Sequence, residues 1–156
     1  MRIIAMQGRP DSGKSSAIRK VYDAFSKTAS VVILFRPLGS NADFEAVVKT
    51  RSGKRVGFFS QGDCGDDAIH NIDAAENAGC DILVTAVRTK GATHENIFAY
   101  CKKSPDHEVL LINGIDMWTH LNPTSPIYDK RNDFSAISDL MAKHLLNVLD
   151  YVIRMI

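Results

Sequence analysis

The chain has 156 residues, 45% of them apolar and 24% charged, with a formal net charge of +1. That length supports one domain with a core of its own and needs neither disulfide nor metal to hold it together. Nineteen basic against eighteen acidic residues leave no global field to draw the chain onto nucleic acid or an anionic membrane, which argues against a nonspecific nucleic-acid coat. The three cysteines, Cys64, Cys80 and Cys101, lack C-x-x-C spacing and read as free thiols of a reducing compartment. Cys64 reads as a small buried hydrophobe. The opening residues MRIIAMQGRPD carry no cleavable leader pattern, and no run of about 18 apolar residues occurs. The expected location is cytoplasmic, with no membrane association.

Short apolar runs alternate with helical periodicity, the pattern of an α/β domain with a mostly parallel central sheet. The first strand is expected at Arg2 to Gln7. After a Gly-rich loop comes a helix with Ala17, Ile18, Val21, Tyr22 and Phe25 on one face. Ser30 to Arg36 reads as a second strand, and Leu38 to Asp43 as a polar loop. Phe44 to Thr50 and Lys54 to Ser60, joined at Arg51-Ser52-Gly53-Lys54, read as a hairpin that adds one antiparallel strand to the sheet. A helix is expected over Asp66 to Ala78 with Gly79 as its stop, then a strand over Asp81 to Val87. Thr93 is the expected N-cap of a short helix, and Glu108 to Asn113 the next buried strand. Gly114 to Asn132 reads as a long loop containing Trp118. Asp133 is expected to cap a last helix bearing Ile137, Leu140, Met141, Leu145 and Val148, with His144 as a core or interface residue and Tyr151 to Ile156 as a final strand.

The chemistry concentrates after the first strand. Gly8-Arg9-Pro10-Asp11-Ser12-Gly13-Lys14-Ser15, followed by Ser16, matches G-x-x-x-x-G-K-[ST] at every fixed position. Glycines let a backbone curl around a diphosphate, and successive amides and the positive end of the following helix face its oxygens. Lys14 supplies a point charge for the β and γ phosphates, and the Ser15 hydroxyl suits the coordination sphere of Mg2+. Pro10 removes one amide donor from the loop. At these positions the sequence resembles the P-loop NTPase superfamily. The resemblance covers the loop closely and the later strands and helices more loosely. It implies a three-layer α/β fold over residues 1–156 and binding of a nucleoside triphosphate, with ATP and Mg2+ as the expected ligands.

P-loop proteins place an acid at the carboxyl end of a neighbouring strand. Asp63, just past the run Val56 to Ser60, is the candidate, with a helix-capping aspartate as the alternative. Asp81 sits at the wrong end of its strand. Gln61 is a candidate for orienting an attacking water, and Arg88 and Lys90, after the next strand, for compensating charge on a transferring phosphate. The order of elements also looks like that of the small GTPases, although Asn113-Gly114-Ile115-Asp116 lacks the lysine of their base-reading loop. A kinase is a second reading, with Asp43 orienting an acceptor hydroxyl and the Arg88 or Trp118 loop as a lid. A nucleotide-dependent switch or interaction module is a third, its loops Leu38 to Asp43 and Gly62 to Asp67 changing with the γ phosphate; a protein partner or a homo-oligomer is a separate expectation. The five histidines show no metal-ligand pairing.

Overall fold

The computed structural model describes residues 1–10, 12–28, 31–39, 43–114 and 130–156, excepting the side chains of 130–135. The first strand, β1 (Arg2–Gln7), feeds α1 (Lys14–Ser26), followed by β2 (Val31–Pro37), β3 (Phe44–Lys49) and β4 (Arg55–Phe59). Then come α2 (Gly65–Asn77), β5 (Ile82–Val87), α3 (Ala92–Cys101), β6 (Glu108–Asn113) and α4 (Lys130–Met155). The strands form one six-stranded mixed sheet in the order β2-β3-β4-β5-β1-β6. β1 is parallel to β5 and β6, and β4 to β5. β3 alone runs against its neighbours β2 and β4.

Two apolar clusters lie on the sheet's two faces because alternate side chains of each strand point opposite ways. Ile4 and Met6 of β1 join Ala17, Ile18 and Val21 of α1 and Met141, Leu145 and Leu149 of α4. Ile3 and Ala5 join Ala68, Ile72 and Ala75 of α2 and Ile97 and Tyr100 of α3. The five apolar positions expected on the inner face of α1 are all buried. β2 is an open edge whose Val31, Val32, Ile33, Leu34 and Phe35 are all exposed.

Three expectations about elements need correction. Tyr151 to Ile156 is not a strand, because α4 continues to Met155. No glycine or proline interrupts 130–156, and Leu149 and Val152 extend the buried stripe of Ile137, Met141 and Leu145 by further steps of three or four. Asp133 therefore lies inside α4 rather than before it. Thr93 is likewise inside α3, whose N-cap is Gly91 at φ 90°, and its Oγ1 accepts from the Arg88 amide at 3.1 Å. His144 is exposed on α4 and not part of the core.

Candidate functional site

The adjacent parallel strands β1 and β5 end level, Gln7 opposite Val87, and the Gly8 amide donates to the Val87 carbonyl at 3.1 Å. Beyond that point their chains diverge. β1 leads to α1 on one face and β5 to α3 on the other, so a crevice opens at the carboxyl edge, where ligands of open α/β sheets bind. Arg9 and Pro10 from one loop and Arg88, Thr89, Lys90 and Gly91 from the other line a cleft of about 820 Å³ there. Sequence reasoning missed Thr89 and Gly91. Their position depends on which face α3 packs against, which local periodicity does not encode.

The Gly8 to Ser15 segment is built for close approach. A Cβ on Gly8 would stand 2.7 Å from Ser12 Oγ, and Gly13 has φ 83°, the left-handed conformation that favours glycine. Ser12 is 7% exposed, and among the described residues its hydroxyl has no hydrogen-bond partner. Among the described residues no side chain caps α1, and its first turn carries no acid, leaving the amides and positive end of the helix to face the loop. Lys14 is buried, and its ammonium donates to the Arg9 carbonyl at 2.6 Å. The Ser12 hydroxyl, buried and without a hydrogen-bond partner among the described residues, the amides at the start of α1 and the Lys14 ammonium gather hydrogen-bond donors and positive charge at this loop, which fits a polyphosphate. Ser16 is exposed in the first turn of α1. Asp11 lies outside the described residues, as do Asp116 and Trp118.

The next helix start differs. At α2 the Asp67 carboxylate accepts from the amides of Asp63 and Cys64, at 2.8 and 2.9 Å, so this terminus already holds its anion. Cys64, rather than Asp63, is the N-cap of α2, and Asp67 at N3 closes the capping box. The Asp63 side chain is 68% exposed and lies 3.5 Å from Arg88 Nη2, which brings these two candidates together at the cleft. Cys64 is exposed, against the expectation of burial. Gln61 is exposed, and its backbone carbonyl accepts from Asn71 Nδ2 at 2.7 Å.

Ser15 is tied to the end of β4, its hydroxyl donating to the Ser60 carbonyl at 3.2 Å. Ser60 is fully buried, and its own hydroxyl donates to Asp43 Oδ1 at 3.1 Å and accepts from the Phe44 amide at 2.9 Å. Because β3 runs against its neighbours, its first residues lie at the edge where β4 and β1 end, and this places Asp43 beside the loop. Asp81, at the opposite edge, accepts from the Arg55 amide, as its position in sequence implies. Asn113 is exposed at the end of β6.

No family model, no curated protein and no solved structure matches this chain. Among the described residues no helix is long and apolar enough to cross a membrane.

Proposed function

We propose that this chain is a Mg2+-dependent P-loop NTPase of three-layer α/β architecture that binds ATP and cleaves its β–γ bond, with water as the acceptor. The observation that carries the reading is the Gly8 to Ser15 loop at the β1/β5 crevice, where among the described residues the buried Ser12 hydroxyl has no partner and no side chain caps the start of α1. The loop amides and Lys14 take the phosphates, and Ser15 would hold the ion, which supplies charge neutralisation at the β and γ oxygens. Arg88, on the opposite wall of the cleft, compensates charge that develops on the γ phosphate. Hydrolysis joins a water oxygen to the γ phosphorus as its bond to the bridging oxygen breaks. ADP and inorganic phosphate leave, and the water's proton passes to solvent. Gln61 is assigned to orienting that water.

A kinase is the second reading, favoured by the room that the cleft leaves beyond the loop and by its lining of Thr89 and Lys90. Incubation with γ-labelled ATP separates the two. We expect free phosphate at a rate abolished by Lys14→Ala. Label on an added acceptor would transfer the assignment to a kinase, and tight binding with negligible turnover would transfer it to a switch.

A further inference from the structure

The remaining question at this site is which carboxylate serves the ion, and here the connectivity disagrees with sequence position. Asp63 occupies the expected place after β4, yet its carboxylate is two-thirds exposed and engaged with Arg88. Asp43 sits one β-hairpin earlier in the chain and is joined to Ser15 through a single buried residue. The Ser60 carbonyl receives the Ser15 hydroxyl, and the Ser60 hydroxyl donates to Asp43. The backbone of Asp43 is fixed as well, its carbonyl accepting from the Leu38 amide at 2.9 Å. Among the described residues no cation forms an ion pair with it, whereas the next acid on β3, Glu45, is bound by Arg36 and His70.

Magnesium usually keeps several waters and takes only one or two protein carboxylates. A carboxylate two hydrogen bonds from the coordinating hydroxyl suits an acceptor for those waters. We propose that Asp43, rather than Asp63, is the acid that completes the magnesium site, accepting hydrogen bonds from water bound to the ion, while Asp63 holds Arg88. Ser60 is the positioning residue. This assignment rests on the nucleotide reading above.

The test is a titration of Mg2+ against binding of the β,γ-imido analogue of ATP, followed calorimetrically for the wild-type chain, Asp43→Asn and Asp63→Asn. Asp43→Asn raises the Mg2+ concentration for half-maximal tightening about 10-fold or more, the usual effect of losing a hydrogen-bond partner of the metal's ligands. Asp63→Asn moves it by less than about 2-fold. Equal titrations for Asp43→Asn and wild type overturn the assignment, as does an equal or larger shift in Asp63→Asn. A wild-type chain that binds no nucleotide at any Mg2+ concentration overturns the nucleotide reading itself. A second measurement needs no variant: with Mn2+ replacing Mg2+ in the wild-type complex, the carboxyl carbon resonance of Asp43 is broadened strongly and that of Asp63 weakly. The reverse order would contradict the proposal.

Discussion

Cys80 follows α2 and is buried in the cluster beneath α2 and α3. Burial pushes its thiol from 9.0 up to about 11, outweighing the opposing effect of Arg55. The unfolded thiol begins to lose its proton near 9.0 while the folded one keeps it to about 11. The stabilisation is therefore fully present below pH 9 and is lost as pH rises through that window, by on the order of 2 kcal/mol. Burial and then the hydrogen bond to Glu76 push the Tyr100 phenol in the same direction. In urea unfolding at about pH 8 and about pH 11, the wild-type chain should lose on the order of 2 kcal/mol more than Cys80→Ala does. Equal losses would show that burial of this thiol does not set the alkaline limit. The neighbouring case, Cys64, shows what residue type alone leaves open. A cysteine in a polar turn is buried or exposed according to where the turn packs, and this one lies outside both clusters.

Among the described glycines, the closest approach lies in the passage from β4 to α2. The chain leaves β4, crosses the end of β5 and enters the opposite face at Gly62, where an added Cβ would fall 2.0 Å from the Ala86 carbonyl oxygen. That neighbour is backbone and cannot swing aside. Gly62→Ala should therefore cost about 1–3 kcal/mol or more, in the range of overpacked sites, measured as a lower midpoint in urea at unchanged slope. Wild-type stability in this variant would contradict the crossing. Most elements were legible because their hydrophobic periods are clean: β1 and β6 match their expected bounds, and the inner face of α1 is the expected one, but β6 is an edge strand exposed over most of its length and not the buried strand expected. The end of α4 was not. Tyr151 to Ile156 is a short apolar run of a kind that strands and buried helices share. The continuing stripe through Leu149 and Val152, with no helix breaker before it, decides for the helix.

At the scale of the whole molecule, the α/β class and the single antiparallel strand follow from the alternation of elements, but the lateral order of strands does not. β1, β4 and β5 are all largely apolar and buried over most of their length, so their patterns are interchangeable and nothing local says that β5 lies between β4 and β1. That insertion puts Arg88 and Thr89 across from Arg9, and it leaves Ser60, whose hydroxyl holds Asp43, to meet Ser15. The loop itself was legible because its glycines and lysine are required by local geometry, while the acid was not, since its place depends on the reversed direction of β3. Everything proposed for the site depends on this loop binding a nucleoside triphosphate. That binding is tested most directly by calorimetric titration of wild type and Lys14→Ala with ATP and Mg2+. The wild-type chain should show saturable one-to-one binding, weakened about 10-fold or more in Lys14→Ala, as expected for loss of a charge-assisted contact of about 1.5–3 kcal/mol. Absence of wild-type binding, or equal affinity in the two proteins, would contradict it.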